Sequence, residues 1–558
     1  MDFAHRNSKK TRKPLKILNT TLMPTENTKY LGVYFNQYLD WSTQRNYTVE
    51  KGAKWVAQIR RATAPSWGLT PKHTRQIYIS VAIPRTLYAV DVWGARFKHG
   101  AITQTAGKVT EYSNKLSSVQ RAGTLVITGG LRTSPTDTLD THTFILPLHL
   151  EIEKHLYRAA IRIATLPMLH PLYKPVRKCA NRVMKRHKSA LHELVQAFNI
   201  TPNTLEMLTT TGGNPATRYK RPFKITIAND KKASVAADEE GQENIKVYSD
   251  GSAQDGKVGA AALLIQQGKD TRTLHYHLGT TEQHTVFEAE LVGLILGLHL
   301  IKTAKARTSY TLGADNQAAL AAVATPGNRS GHYLADIFLT AAFNLQKVNG
   351  TANYSLRLGW TAGHVNITGN ELADEEAKKA AEGTSSEKAM LPKILKKPLK
   401  HSKSAAKQEH RAKLNNEWRK SWGKSPCAHR IKHIDPTTPS SKFLKLTSDP
   451  DISRQGASWI FQIRVGHIPL NEYLHRFKRM ARPNCPACGQ DLESTQHFVL
   501  DCPKYAHERW ALLAGKSRKN KEYANLIGRE ENAKHLTAYI KATGRFAADR
   551  APSGRREG

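Results

Sequence analysis

The order of apolar segments between residues 244 and 383 constrains the fold of this chain more than any other feature. Three strand-like segments come first, of which IKVYSDGS alternates, and Asp255 and Gly256 supply a hairpin turn between the first two. A long apolar helix, a strand, two helices, a strand and a last helix follow. Because helices must cover the apolar faces of a sheet, this order predicts an α/β domain with a mixed five-stranded sheet.

The rest of the chain divides by composition into segments of different character. The region 29–210 is predicted to be mostly helical, with an opening strand in KYLGVYF (29–35) and a core that includes the tryptophans at 41, 55, 67 and 93. The other predicted segments are a basic disordered tail (1–28), an exposed linker (211–243), a basic linker that is flexible or a solvated helix (384–426), a helical and cysteine-containing module (427–515) and a basic C-terminal tail (516–558).

The charge balance restricts the class of partner. The chain has 558 residues, 84 Lys and Arg against 46 Asp and Glu, and a formal net charge of +38. A polyanion is the expected partner, nucleic acid first and an anionic membrane surface second, whereas the simpler alternative is a basic chain that is only soluble. The longest apolar run, 291–301, is too short to span a bilayer, so no membrane segment is expected.

The N-terminal sequence and the cysteine content indicate the cellular compartment in which the protein is expected. Five cysteines in so long a chain do not form a disulfide framework. The N-terminal residues carry no apolar run of a secretory signal, which predicts an intracellular protein. The basic run KKTRK (9–13) is either a nuclear address or part of a disordered tail, and the nucleus is favoured over the cytoplasm.

Four acidic residues lie where the predicted fold brings its segments together. Asp250 and Asp315 end strands, Glu290 lies inside the long apolar helix, and Asp374 lies in the first turns of the last helix. Taken singly, Asp250, Asp315 and Asp374 can be explained as a turn acid, a helix N-cap and an acid favoured by the helix dipole. Glu290 is harder to explain in this way, because its helix face is otherwise small or apolar: Gly293, Leu294 and Gly297.

Together the four acids predict a cation site. Two lie at strand ends and two on helices beside those strands, so all can meet at one edge of the sheet, where the two glycines would let the sheet approach the helix. Converging carboxylates need a strong compensating charge, and hard oxygen ligands suit Mg²⁺ or Mn²⁺. Two such ions about 4 Å apart are the usual device for phosphodiester cleavage.

Four motifs in this region, YSDGS, FEAEL, ADNQAAL and GHVNITGNELAD, resemble a type I ribonuclease H domain over about 245–382. The resemblance implies that Asp250, Glu290, Asp315 and Asp374 bind two Mg²⁺ or Mn²⁺ ions. Glu290 is preferred to Glu288 because the family glutamate directly precedes the Leu of AEL. The resemblance to ribonuclease H also implies hydrolysis of the RNA strand of RNA–DNA hybrids to 5′-phosphate and 3′-hydroxyl ends.

The stretch after the last strand carries the family's histidine. By resemblance this residue is His364, which would assist proton transfer and product release. We expect a mobile flap over 361–369 with Gly363 and Gly369 as hinges. Asn370 is predicted to cap the last helix, and Asn316 is predicted to contact the nucleic-acid backbone.

A second metal site is predicted near the C-terminus. CPACGQDLESTQHFVLDC places Cys485, Cys488, His497 and Cys502 as C-x2-C-x8-H-x4-C, which suits a closed, structural Zn²⁺ site. A reduced, metal-free cluster is the alternative, and His507 is a competing ligand that the predicted helix after Cys502 disfavours. The other two cysteines, at 179 and 427, are interpreted as ordinary thiols.

The stretch before this cluster has two open interpretations. WIFQIRVGHIPLNEYLHRFKRM (459–480) mixes aromatic residues with Arg, Lys and His, which would suit nucleic-acid binding by stacking and charge, including single-stranded RNA or DNA. A pair of helices that packs under the cluster explains the same pattern equally well.

The order of ribonuclease H motifs, RVGHIPLNEYLHRF and zinc-knuckle pattern is similar to the C-terminal part of non-LTR (LINE-type) retrotransposon polyproteins of the fungal type. KYLGVYFNQYLDW and LSSVQRAGTLVITGGLRTSPTDTLD are similar to the segment after the reverse-transcriptase palm. The chain has no Tyr/Phe-x-Asp-Asp motif, so no polymerase activity is predicted. A truncated element, a fragment and a domesticated remnant all agree with this pattern.

Two functions are therefore expected as alternatives. The first is an Mg²⁺-dependent ribonuclease H, and the second is a nucleic-acid-binding remnant with little or no hydrolysis. A transposase or integrase on the same sheet topology is disfavoured by the order of the acids and by the loop that carries His364. Oligomeric state is left open.

Overall fold

The computed structural model describes residues 13–94, 106–182, 189–208, 221–241, 243, 245–266, 268–304, 309–350, 355–363, 365 and 367–547. The chain forms two compact units, one of residues 1–155 with 414–558 and the other of residues 156–413. Within the described part of the chain, no helix has both the length and the apolar character needed to cross a membrane.

Ten strands lie in the described residues, in the order β1 Leu15–Ile17, β2 Thr20–Leu22, β3 Asn27–Tyr30, β4 Val33–Asn36, β5 Lys224–Thr226, β6 Ile245–Gln254, β7 Lys257–Gln266, β8 Arg272–Thr280, β9 Ser309–Ala314 and β10 Ser355–Trp360. The first helices are α1 Ser42–Arg60, α2 Pro71–Ile77, α3 Ile83–Thr86, α4 Val90–Trp93, α5 Ala106–Thr128, α6 Thr136–Thr143, α7 Leu148–Ala164, α8 Tyr173–Asn181, α9 Ala190–Ala197 and α10 Lys231–Glu239.

The later helices are α11 Val286–Thr303, α12 Gln317–Ala324, α13 His332–Asn349, α14 Thr368–Glu382, α15 Lys403–Gly423, α16 Pro426–Ile434, α17 Lys442–Leu446, α18 Arg454–Val465, α19 Asn471–Arg476, α20 Ala506–Leu513, α21 Tyr523–Gly528 and α22 Glu530–Ala542. Short π-helical or 3₁₀ segments lie at Tyr78–Ala82, Lys393–Lys396, His497–Asp501, Pro503–Tyr505 and Lys519–Lys521.

One mixed sheet organises the 156–413 unit, with the strand order β5-β10-β9-β6-β7-β8. Strands β6, β7 and β8 form the predicted antiparallel meander, whereas β5, β10, β9 and β6 run parallel. Asp255 and Gly256 make the turn between β6 and β7 with φ of 49° and 77°, as the sequence predicts.

The sheet has six strands, so the prediction of five is wrong by one edge strand. The additional strand, β5, pairs with β10 through Lys224 opposite Arg357. It is only three residues long and largely exposed, and it lies inside the predicted linker 211–243. A segment this short and polar carries no alternating pattern, and its pairing depends on the edge that β10 offers.

Helices cover both faces of the sheet. The even-numbered residues of β7, such as Ala260 and Ala262, belong to the core that includes α11 and α13. On the opposite face Leu263 packs with Ala373 of α14. Gly259 allows α14 to lie directly on the strand, since a Cβ there would be 2.0 Å from the backbone nitrogen of Ala381. The position of α14 is therefore fixed by backbone contact.

Segments on both sides of the predicted domain complete its structure. Residues 231–239 of the predicted linker form α10, and Phe223 lies in the same core as α11. In the predicted basic linker, the side-chain hydroxyls of Ser385 and Ser386 accept hydrogen bonds from β8 amides at 2.8 and 2.9 Å. Three leucines of that linker are buried in the core: Leu391, Leu395 and Leu399. The folded unit thus extends beyond 244–383.

The unit formed by 1–155 and 414–558 is mostly helical, with two hairpins, β1–β2 and β3–β4. The prediction of a single strand in 29–35 is wrong, because Leu31 and Gly32, with φ of 47° and 82°, form a turn that divides this segment between β3 and β4. Of the four tryptophans predicted in the core, Trp93 is 1% exposed but Trp67 is 54% exposed. The predicted tail 516–558 forms α21 and α22, whose apolar residues, including Leu526 and Leu536, are buried.

We predict that Leu395→Ala destabilises the sheet domain by about 2–5 kcal/mol, because it removes a side chain buried in the core. Ile394→Ala is the control, since Ile394 lies beside it and is 36% exposed. Native-state hydrogen exchange of the buried β7 amides measures the difference. Equal protection in the two variants would mean that the 384–402 segment does not contribute to the core.

Candidate active site

Strand pairing brings Asp250 and Asp315 side by side. Strands β6 and β9 are parallel, and their last pair is Ser249 opposite Ala314, so Asp250 follows on β6 and Asp315 is the first residue after β9. The prediction that Asp250 ends its strand is wrong, since β6 continues to Gln254. The N-cap of α12 is Asn316, whose side-chain oxygen accepts a hydrogen bond from the Ala319 amide at 3.1 Å. Asp315 therefore does not act as the helix cap, which was its simpler explanation.

Glu290 reaches the same edge because α11 lies against β6 with almost no space between their backbones. A Cβ on Gly251 would be 2.4 Å from the Glu290 backbone nitrogen. A Cβ on Gly293 would be 3.0 Å from the carbonyl oxygen of Asp250. The close approach predicted from the glycines on this helix face is thus confirmed.

The carboxylate oxygens of Asp250, Glu290 and Asp315 lie within 4.8 Å of one another. Asp374, the fourth predicted acid, lies outside this group. It is on α14, where it forms an ion pair of 2.7 Å with Lys378, one turn later on the same helix. Its charge still raises the pKa of both Asp250 and Glu290, so it lies close enough to interact electrostatically.

The shared site is strongly unfavourable for negative charge. Burial, and then the charges of Asp315 and Asp374, raise the pKa of Asp250 from 3.8 to about 7, although the Gly251 amide and Lys378 oppose the shift. Burial raises the pKa of Glu290 well above 4.5, and the charge of Asp250 adds to the effect. In the absence of other cations, this environment therefore favours the protonated form of both carboxyl groups.

The residues present fit a divalent cation. Glu290 is 5% exposed, and its Oε2 atom has no hydrogen-bond partner among the described residues. The Nδ2 atom of Asn316 is 3.5 Å from its other oxygen, Oε1. A buried carboxylate with an unused oxygen, beside two more carboxylates, matches the all-oxygen donor set that Mg²⁺ and Mn²⁺ prefer.

The predicted flap is only partly described. His364 lies outside the described residues. Gly369 is within α14 rather than at a loop hinge, and a Cβ there would be 2.2 Å from the Tyr248 ring. The prediction that Asn370 caps the helix is wrong, since the N-cap position is Ile367. Asn370 is buried and accepts a hydrogen bond of 2.9 Å from the Thr361 hydroxyl instead.

Helix α10 contributes residues that the sequence analysis missed. The Ser234 hydroxyl, on a residue that is 2% exposed, donates to the Trp360 carbonyl and accepts from the Ala362 amide, both at 2.9 Å. Lys231 donates to the Gly363 carbonyl at 3.2 Å. A Cβ on Gly363 would be 3.1 Å from Asp315 Oδ2, so α10 holds the backbone that lies against this carboxylate.

The sequence before α10 contains a pattern that predicts the start of this helix. Asp230 is its N-cap and accepts from the Ala233 amide at 2.8 Å. An Asp directly before a run rich in Ala and Lys is a common helix start. The Gly- and Pro-containing stretch before it masked this signal and favoured a linker.

The four predicted zinc ligands also come together. Their ligand atoms lie within 4.8 Å of one another, with Cys485 Sγ 3.8 Å from Cys502 Sγ and Cys488 Sγ 3.5 Å from His497 Nε2. His507 lies on α20 and is not in the group. Three sulfurs and one imidazole nitrogen fit a tetrahedral Zn²⁺ site.

The first two cysteines of the cluster have opposite environments. The amides of Asp491 and Gln490 lower the pKa of Cys488 to about 6, because they donate to its thiolate. Burial raises the pKa of Cys485 to about 11. Gly489, with φ of 74°, turns the chain back so that its amide donates to the Cys485 carbonyl at 2.8 Å.

We predict that Mg²⁺ raises the thermal midpoint of the protein more at about pH 8 than at about pH 5. The metal-free folded state binds the Asp250 proton more tightly than the unfolded chain does, because its pKa is raised to about 7. Stability from this proton is complete below about pH 4 and is lost as the pH rises through about 7. A cation replaces the proton at high pH.

The matched variants are Asp250→Asn, which should lose the pH dependence of the Mg²⁺ shift, and Asp255→Asn, which should keep it. Asp255 is exposed in the β6–β7 turn, and Asn is well suited to its positive φ. A midpoint shift of the same size at both pH values in the wild type would contradict this account.

We predict that the protein retains about one Zn²⁺ per chain after dialysis, measured by atomic emission. Cys485→Ser should release it, since Cys485 is one of four ligands and is 1% exposed. Cys427→Ser is the control, because Cys427 is outside the ligand group. Zinc retained by the first variant, or lost by the second, would contradict the assignment of ligands.

Comparisons with known proteins give matches over the sheet domain. Residues 242–382 match the family model described as RNase H. A search of the curated proteins gives no match. Among solved structures, the N-terminal RNase H domain of Rv2228c from Mycobacterium tuberculosis is 19% identical, with a TM-score of 0.20; the match covers 25% of this chain and 93% of that one.

Two further solved structures are similar over the same share of this chain. RNase H1 from the archaeon Halobacterium salinarum NRC-1 is 15% identical, with 98% of that chain covered and a TM-score of 0.20. LC11-RNase H1, solved in complex with an RNA/DNA hybrid, is 14% identical, with 96% of that chain covered and a TM-score of 0.20. The family match places an RNase H domain at residues 242–382 of this chain.

Proposed function

We propose that this protein cleaves the RNA strand of RNA–DNA hybrids endonucleolytically, in a reaction that depends on Mg²⁺ or Mn²⁺. The observation that carries the proposal is the group of three carboxylates, Asp250, Glu290 and Asp315, within 4.8 Å of one another. The group lies inside the segment that matches the RNase H family. The expected products have 5′-phosphate and 3′-hydroxyl ends.

The acids divide into two environments. Asp250 and Glu290 are buried and would hold two cations together with Asp315, whereas Asp374 is more exposed and pairs with Lys378. Bound divalent cations supply Lewis-acid activation and neutralise charge at the phosphodiester. The more exposed position of Asp374 suits a ligand that adjusts when substrate binds.

We assign proton transfer in the reaction to a residue other than the buried acids. The metal-free site favours the protonated forms of Asp250 and Glu290, whereas bound cations would favour their carboxylates, so both residues would serve as ligands rather than as acids. We therefore assign proton transfer near the leaving group to His364, because histidine is the side-chain type most often used for general acid–base catalysis. For Asn316 we keep the prediction that its side chain contacts the nucleic-acid backbone.

We also propose that the chain derives from a non-LTR retrotransposon polyprotein, with a structural zinc centre and nuclear location. The support is the order of the ribonuclease H motifs, RVGHIPLNEYLHRF and the Cys485–Cys502 cluster. A formal net charge of +38 agrees with nucleic acid as the partner.

We predict that Asp250→Asn lowers hybrid cleavage by more than about 100-fold, because removal of a cation ligand should exceed the 10–100-fold cost of a ligand's supporting contact. Hybrid binding should change little. The assay uses a hybrid labelled on the RNA strand, with Mg²⁺ and then with EDTA, and Asp255→Asn is the matched control. Wild-type protein that binds the hybrid but never cleaves it in Mg²⁺ would favour the binding-only alternative.

A further inference from the structure

A strongly basic surface segment lies beside the cysteine cluster, outside the ribonuclease H domain. Residues 475–482, HRFKRMAR, are eight consecutive exposed residues that include no acid. Within the described part of the chain, no ion pair is found for the four cations of this segment, which are Arg476, Lys478, Arg479 and Arg482. Their charge is therefore available to a partner.

The same segment exposes apolar and aromatic surface. Phe477 and Met480 are 40% and 42% exposed. The Phe477 ring lies 4.9 Å from Tyr473, and the Arg476 guanidinium lies 5.3 Å from the Phe477 centroid and 5.7 Å from the Tyr473 centroid. A single exposed apolar residue is ordinary. A ring bordered by unpaired cations is the arrangement that binds bases and phosphates together.

A neutral imidazole extends the aromatic surface. His467 lies 5.5 Å from the Tyr473 ring and 6.2 Å from the Phe477 ring. Burial, with the nearby charges of Arg476 and Arg430, lowers the pKa of His467 to about 4. At neutral pH this ring is therefore an uncharged neighbour of Phe477.

Buried polar contacts hold α19, the helix that carries the start of this surface, in place. Glu493 is fully buried and accepts from the Asn471 amide at 2.6 Å and from Arg545 at 2.7 and 2.9 Å. The Asn471 side chain donates to the Asn484 carbonyl at 2.7 Å. These contacts tie α19 to the residue just before Cys485. The cations and the ring are therefore presented from a fixed support.

We propose that residues 473–482 bind single-stranded nucleic acid, with an unpaired base stacked on Phe477 and the phosphates held by the flanking cations. A base inside a duplex has both faces covered, so stacking on an exposed ring requires an unpaired one. An anionic membrane or an acidic peptide would use the cations but would gain no base stacking. The site is separate from the three carboxylates and does not depend on hydrolysis.

The first test uses the full chain and a fluorescein-labelled 20-nucleotide single-stranded oligouridine, without divalent cations, by anisotropy. Phe477→Ala leaves the charge unchanged and should weaken binding by about 5- to 100-fold, the range expected for one stacked base. Trp510→Ala is the matched control, because Trp510 is 73% exposed and lies outside the segment. Equal affinity of Phe477→Ala and wild type would overturn the proposal.

The second test measures charge separately. The double variant Arg476→Ala/Arg479→Ala should reduce the slope of log affinity against log salt by about 1.4, which is 0.7 for each of two phosphate contacts. Arg518→Ala/Lys519→Ala removes the same charge from exposed positions elsewhere and should change the slope less. Equal slopes for the two double variants would show only general attraction and would overturn the proposal.

Two further measurements separate the possible outcomes. Binding to vesicles of anionic lipid that falls in both segment variants, with oligouridine affinity unchanged, would assign the surface to membranes instead. Retained Zn²⁺ and near-ultraviolet circular dichroism show that each variant is folded. Hybrid cleavage by Phe477→Ala at the wild-type maximal rate is expected, because the proposed ribonuclease site is in another part of the chain.

Discussion

The contact between α11 and β6 is the constraint on which the proposed ribonuclease site depends. Gly251 on the strand and Gly293 on the helix have no side chains, so the two backbones meet and Glu290 is carried to Asp250. A larger residue at either glycine would push α11 away from β6 and would separate the Glu290 carboxylate from that of Asp250. The same contact creates an electrostatic problem, since it buries two acids together. A protein that keeps such a contact needs either protons or cations in the site.

The parts of this fold that could be predicted from sequence are those whose pattern is local. Alternation predicted β6, an apolar run predicted β7, and Asp255–Gly256 predicted their turn. The glycine spacing on α11 predicted a close neighbour for Glu290. The parts that could not be predicted are stabilised by tertiary contacts. Strand β5 has three residues, and Leu395 lies in a basic stretch whose composition favours solvent.

A motif also identifies residues more reliably than it gives distances between them. Asp374 is on the predicted helix, but its distance from the other acids is set by α14 packing on β7 at Gly259 and by the ion pair with Lys378. The packing of α14 on β7 is not visible in the local sequence, although the i, i+4 spacing of Asp374 and Lys378 is. Likewise, Ser234 fixes the backbone next to Asp315 from a segment with no motif. Residues that hold a site in place can thus lie outside the motifs that identify it.

The acid group and the basic chain pose opposite problems for a polyanionic substrate. Clustered carboxylates repel phosphates when they are ionised, and bound cations would remove this repulsion while leaving the carboxylates ionised. Attraction over a longer range must come from cations that no acid neutralises, and it acts within a Debye length of about 8–10 Å. Arg476 and Arg479 are such cations, whereas Lys378 is already paired with Asp374. A division between residues that attract nucleic acid and residues that bind catalytic cations therefore follows from charge alone.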